Sequence, residues 1–490
     1  MGNLDLVVVD EFYKLDPTRR DERSVTLNAA VYRLLHHAKQ FFFLGPNIDN
    51  VTVSNDARWR FSFLKTRFST VAVDTFDLKN IEDKEERLHA EITRETNWPA
   101  LVFVSSPDKA NALAADIVGR QVRVGAGGEL ATWMAANYGG QWELSDAVAA
   151  GVGVHHGRIP RALASRFVAL FNKNVLPILL CTSTLIEGVN TAAKSVLIYD
   201  KEINRRNYDF FTFSNIRGRA GRLGQHHVGQ VYLFHRPPGE EQVAVAAPLF
   251  GELDDAPDEL IVHVEEAEAT ETISGRVKQL AAHIGLNQSE LRRFSAIGID
   301  VLAQLKTATF EALSRGADLK WKGYPTYDQI LALSQIVCTV KKPSEFGCLS
   351  AKQLTFYINR LRESTRMLDF FSWHSGSYTG KPEKLDNVFK FLRACEFNLP
   401  EYLAAIELFV SRNFPRTDYS LLLGELPRWF RAEALKILEE QGVPIQISER
   451  FFVATDTVTT LAGRLRELAR GRDQRLSALE REWILEALPG

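Results

Sequence analysis

The sequence predicts an α/β fold, with a parallel sheet and crossover helices through the first 235 residues and a mostly α-helical region after it. Three observations predict it. Up to residue 235, short apolar and β-branched runs alternate with helix-periodic stretches, the pattern of parallel strands joined by crossover helices. Residues 252–271 hold nine Asp or Glu and no Lys or Arg, which reads as a solvated linker. Beyond it strand signals thin, and apolar residues recur at helical spacing. The chain therefore divides into segments 1–90, 91–238, 239–271 and 272–490, the third being the acidic linker.

Leu4–Val9 is an apolar run and the first expected strand. Leu27, Val31, Leu34, Leu35 and Ala38 follow on one helical face, and residues 41–44 form the next strand. After a strand at 101–104, Ser106 before Pro107 makes a good helix start, and Ala110, Leu113, Ala114 and Ile117 share a face behind it. Strands at 176–181, 195–199 and 228–234 complete the sheet. In the last segment Ile273, Val277, Leu280, Ala281 and Ile284 line one face, as do Leu354, Tyr357, Ile358 and Leu361. No internal repeat is visible.

Composition excludes several classes. The 490 residues are 45% hydrophobic and 24% charged, yet no apolar run approaches the ~20 residues of a spanning helix, so no membrane partner is expected. The Met1 end lacks the charged and apolar regions of an export signal, which points to the cytoplasm. Cys181, Cys338, Cys348 and Cys395 show neither paired spacing nor a zinc pattern, so reduced thiols are expected. A net charge of −2 excludes a globally basic nucleic-acid binder and leaves room for a local basic groove. Basic and aromatic groups such as Lys320-Trp321-Lys322 could line such a groove or belong to the core.

Triphosphate cleavage needs a carboxylate to hold magnesium and a group to activate water, both just beyond a rigid strand. Asp10 and Glu11 follow the run Leu4–Val9 in that way, although strands also end in acids because loops are wet. Arg219 and Arg222 in Gly218-Arg219-Ala220-Gly221-Arg222 are three apart and would share a helical face, as arginine fingers or as a basic surface. The adjacent His155 and His156 would point to opposite faces of a strand and make a poor metal pair. No stretch reads G-x-x-x-x-G-K-[ST], and Gly376-Ser377-Tyr378-Thr379-Gly380-Lys381-Pro382 has one residue too few between its glycines, with Pro382 where a hydroxyl is needed.

The order Asp10-Glu11-Phe12-Tyr13, Val152-Gly153-Val154-His155-His156-Gly157, Thr182-Ser183-Thr184-Leu185-Ile186-Glu187-Gly188-Val189-Asn190 and Gly218-Arg219-Ala220-Gly221-Arg222 resembles superfamily 2 helicases, closest to the superkiller-like DExH branch. The resemblance covers residues 1–235. It implies RecA-like lobes, with 1–90 a partial first lobe and 91–238 a second, followed by a helical accessory domain. It further implies ATP and Mg²⁺ as cofactors and single-stranded RNA or DNA as partner. Asp10 would hold magnesium, Glu11 would activate water, and Arg219 and Arg222 would be the fingers. Gly188, Asn190 and Asn215 would join the nucleotide site, with Glu187 in the same motif. Phe103, Ser105, Ser106, His155, His156 and Thr182 would contact the strand, the hydroxyls suiting phosphate oxygens without reading bases.

This sequence departs from the family at three places. Gly45-Pro46-Asn47 stands where a Ser-Ala-Thr-like motif is usual, Asn215 stands where Gln is usual, and the phosphate-binding half of the first lobe is missing. The expected function is thus an ATP-dependent helicase or translocase represented by its C-terminal portion, with a separately encoded N-terminal half as a partner and little ATPase activity alone. The alternative is a helicase-like scaffold that binds nucleic acid or protein without turnover. Residues 1–70 should be marginally stable, with bare edges and apolar surface near Val7 and Phe43.

Overall fold

Leu4–Val9 is a strand in the computed structural model, which describes residues 3–489 except 20–22, 55–58, 60–61, 67–70, 140–141, 187–190, 192, 204–205, 222–225 and 378–384. The strands are β1 (Leu4–Val9), β2 (Ala38–Phe43), β3 (Asn50–Val51), β4 (Ala72–Asp77), β5 (Ala100–Phe103), β6 (Val152–His155), β7 (Ile178–Cys181), β8 (Ser195–Ile198), β9 (Glu202–Ile203), β10 (Arg206–Asn207), β11 (Val228–Leu233) and β12 (Ala244–Val245). Among them run α1 (Ser24–Leu35), α2 (Lys84–Ile92), α3 (Pro107–Gly119), α4 (Gly128–Tyr138), α5 (Glu143–Ala149), α6 (Arg161–Asn172), α7 (Ser183–Ile186) and α8 (Phe210–Arg217). Helices dominate from Glu271–Ile284 to Ala478–Ala487, so the α/β region followed by helices is as the sequence predicts. No helix among the described residues is long and apolar enough to cross a membrane.

The chain forms two compact units. One comprises Met1–Arg67, Glu240–Lys342 and Phe397–Leu423, the other Phe68–Gly239, Pro343–Glu396 and Gly424–Gly490. The helices after residue 270 are thus divided between the units.

In the first unit β1 and β2 pair in parallel, with Val8 opposite Phe42. Side chains alternate across a strand, so Val7 is buried while Leu6, Val8 and Phe42 remain 55%, 53% and 55% exposed. The inward ring of Phe43 meets Phe250 edge-on, and β12 pairs with β3. The Tyr32 hydroxyl donates to Glu268 at 2.5 Å, and the Ala246 amide donates to Asp16 at 2.8 Å.

These contacts correct the reading of 239–271 as a solvated linker. Val243, Val245, Leu249, Phe250, Leu260, Ile261 and Val262 are buried there, because aliphatic anchors are interspersed with the acids. The acids find partners within the same unit: Asp258 pairs with Arg276 at 2.5 Å, and Asp254 accepts from Thr270.

The second unit holds a six-stranded parallel sheet in the order β4-β11-β8-β5-β7-β6. Every residue of β5, β7 and β8 is buried, as the continuous apolar runs of a sheet covered on both faces require. Edge strand β4 lies outside the strands read from sequence, and every residue of it is exposed. The chain leaves β5 for β6, returns to β7 and crosses to β8 on the far side of β5, so the direction of growth changes beside β5. Open α/β sheets hold ligands beyond the strand ends at such a place. As expected, α3 begins at Pro107, with Ser106 Oγ accepting from the Lys109 amide at 3.3 Å.

Candidate functional site

Three neighbouring strands, β5, β7 and β6, deliver Ser105 and Ser106, Thr182, and His155 and His156 to one carboxyl edge of the six-stranded sheet. Five of the six residues expected to touch a strand therefore come together. The Ser105 amide donates to Asp200 Oδ2 at 2.7 Å, and Lys109 Nζ reaches the other oxygen at 3.0 Å. Asp200 follows β8, so its carboxylate ties two strand ends and an ammonium into one set. The Thr182 amide donates to the His155 carbonyl at 3.2 Å, and the Thr182 and Thr184 hydroxyls lie 3.2 Å apart.

Phe103 is the exception. Its ring is wholly buried and packs edge-on against Tyr208, so it supports the sheet rather than reaching a strand. Both faces of β5 are covered, which leaves no alternation to turn a side chain outward.

The histidines diverge. His156 is buried, with Nε2 3.2 Å from Asn111 Oδ1 on α3 and 3.8 Å from the carboxylate of Asp386 in helix Leu385–Glu396. Asn111 Nδ2 donates to Asp386 at 2.8 Å, and Arg158 lies 3.5 Å from Asp386 and 2.7 Å from Asp108. Burial, reinforced by the charge of Arg158, lowers the His156 pKa to about 4. Burial, reinforced by His156, lowers that of His155 to about 4 as well. Both rings are therefore neutral at pH 7. Burial also raises the Asp386 carboxyl above its ordinary value.

Among the residues expected at a nucleotide, Asp10 follows β1 and is exposed, its Oδ1 accepting from the Glu11 amide at 2.8 Å. Glu11 sits in the left-handed region at φ 53° and pairs with Lys14. Asn215 is half-buried within α8. Arg219 lies beyond it in a turn, where its charge acts on Cys181 at the end of β7. The shared helical face expected for Arg219 and Arg222 is corrected: α8 ends at Arg217, and Gly221 takes φ 80°. Arg222, Glu187, Gly188 and Asn190 lie outside the described residues.

Among the described residues, Glu85, His89 and Asp116 bring potential metal-ligating atoms within 4.8 Å of one another. The guanidinium of Arg120 already reaches Glu85 at 2.6 Å, Glu86 at 2.8 Å and Asp116 at 3.2 Å, and so offsets part of their charge. Sequence reasoning missed Asn111, Arg158, Asp200 and Asp386. Asp200 alone carried a signal, an acid just beyond an apolar strand, the same pattern that singled out Asp10.

No family model matches the chain. Its similarity to known proteins is partial and points to superfamily 2 helicases. Anti-bacteriophage protein B of Escherichia coli strain K12 is 28% identical over 491 residues, covering 91% of this chain and 66% of that protein. The ATP-dependent DNA helicase Hel308 of Pyrobaculum calidifontis is 28% identical over 117 residues, 23% of this chain and 16% of that protein. Helicase POLQ-like of Drosophila melanogaster is 27% identical over 143 residues, 29% of this chain and 13% of that protein. The chain thus spans about two thirds of the first relative and under a fifth of the other two.

Proposed function

We propose that the chain is the strand-binding portion of an ATP-dependent superfamily 2 helicase or translocase of the superkiller-like branch, acting on single-stranded RNA or DNA. The observation that carries this reading is the convergence of Ser105, Ser106, His155 and Thr182 at one carboxyl edge of a parallel sheet. Short hydroxyls there suit sugar–phosphate contact without base readout, and Lys109 lies at the same edge, paired with Asp200. The similarity to an anti-bacteriophage protein supports a role in defence against phage.

The chemistry of the donor set fits Mg²⁺ in part. Asp10 offers the exposed carboxylate oxygen that this ion takes, and in this reading it would hold the metal while Glu11 activates water; for Arg219 and Arg222 the resemblance implies neutralisation of phosphate charge. Bound Mg²⁺ would neutralise phosphate oxygens as charge develops on them. The sequence has no G-x-x-x-x-G-K-[ST] string to hold the β-phosphate. In this reading the cradle comes from a further helicase segment, such as a separately encoded N-terminal half. The second reading is a helicase-like scaffold without turnover.

A filter-binding titration with single-stranded RNA and DNA, with and without MgATP, tests the proposal. Salt-sensitive binding whose affinity changes with MgATP is expected. Binding indifferent to nucleotide would favour the scaffold, and no binding to either strand would overturn the helicase reading and leave only a scaffold that binds protein.

A further inference from the structure

The turn His156-Gly157-Arg158 leaves β6 at the candidate strand-binding edge and is held from outside the sheet. Asp386, only 4% exposed, bonds Asn111 at 2.8 Å, and its carboxylate lies 3.5 Å from Arg158 and 3.8 Å from His156. One helical turn pair further along the same helix, Arg393 donates to the carbonyl of Gly157. The alpha carbon of Gly157 lies between two neighbours, since an added Cβ would stand 3.5 Å from Thr184 Cγ2 and 3.7 Å from Arg393 Nη1. Thr184 in turn meets Thr182 through their hydroxyls.

We propose that helix Leu385–Glu396 is a positioning element for the strand-binding edge, with Asp386 and Arg393 fixing the 156–158 turn against Thr182 and Thr184. A buried carboxylate is costly unless its partners are fixed around it, and loss of one partner leaves the others unsatisfied. Asp386 therefore favours one arrangement of Asn111, His156 and Arg158 over its alternatives. Arg393 fixes the same turn through the backbone, independently of those side chains. Neither residue needs to touch the strand. A movement of this helix would pass to the edge through two separate handles, so the helical part of the unit and its sheet would bind a strand as one body.

This inference rests on the reading of that edge as the strand-binding site, and two measurements keep the two apart. The first is hydrogen–deuterium exchange of the free full-length chain, which needs no ligand. Asp386→Ala and Arg393→Ala should each speed exchange of the amides at Arg158, Ile159 and Thr182, with Asp386→Asn restoring most of the protection. Unchanged exchange in both alanine variants would overturn the inference, whether or not the chain binds nucleic acid.

The second is fluorescence anisotropy with labelled twenty-nucleotide oligo(dT) and oligo(U). Asp386→Ala should weaken binding about tenfold, the effect of one lost buried partner, with the salt dependence unchanged because no phosphate contact is removed. Arg393→Ala leaves the core intact and should weaken binding in the same way. A salt slope shallower by about 0.7 in Arg393→Ala would make Arg393 a phosphate ligand and overturn its positioning role. Faster exchange together with full retention of affinity would overturn the link between turn and strand. If wild type binds neither oligonucleotide, the proposed function fails while the exchange result still decides whether the helix positions the turn.

Discussion

His155 and His156 stay neutral because burial opposes their protonated forms, and that has a cost in acid. The folded-state pKa of each is about 4, below the ~6.5 of an unfolded histidine. Between those values the unfolded chain binds more protons, so the stability these rings contribute is full above pH 6.5 and is lost as pH falls toward 4. Each can account for up to about 3 kcal/mol. Glu449, raised to about 7 by burial, acts in the opposite direction, so the variant comparison is the informative one. Urea unfolding at pH 7 and pH 5 should show a smaller acid loss in His156→Gln than in wild type, and an equal loss in both would contradict the burial account. The residues of the edge were legible in different degrees. Ser105, Ser106 and Thr182 directly follow apolar strands. Asp386 lies 275 residues from Asn111, and no local pattern joins them.

Strands β1 and β2 show what alternation predicts and what only tertiary structure supplies. Their period of two was readable, and Val7 turns inward while Leu6, Val8 and Phe42 turn outward. Parallel strands are ordinarily covered on both faces, whereas Leu6, Val8 and Phe42 on this face are each more than half exposed. Substitution of an exposed side chain usually changes stability by no more than about 0.5 kcal/mol, whereas Leu→Ala in a core costs roughly 2–5 kcal/mol. Phe42→Ser should therefore be nearly neutral in urea unfolding, and Leu35→Ala, buried in α1, should be strongly destabilising. Comparable losses in both would show that the β1–β2 face is covered in solution. Edge strand β4 escaped the sequence reading for the converse reason. Its apolar Val73 and Phe76 are interspersed with acids and threonine, and its strand partner among the described residues, β11, is distant in sequence.

Across the whole molecule, charge runs and element counts proved weaker guides than buried anchors. The acidic 239–271 segment is packed, because Phe250 and its aliphatic neighbours outweigh the surface acids. The helical region reads as one block in sequence, yet its helices join two compact units, since amphipathic periodicity says which face is buried and not against what. The motif order was the most legible feature: three of the four motifs fall where a parallel strand ends, at β1, β6 and β7, and the fourth follows helix α8. The central claim is that the carboxyl edge of β5, β7 and β6 binds single-stranded nucleic acid. Photo-crosslinking of the full chain to oligonucleotides carrying 4-thiouridine or 5-bromodeoxyuridine, with the modified peptides mapped by mass spectrometry, tests it most directly. Crosslinks within residues 104–106, 155–158 and 182–184 are predicted, whereas crosslinks confined to other segments would contradict the account.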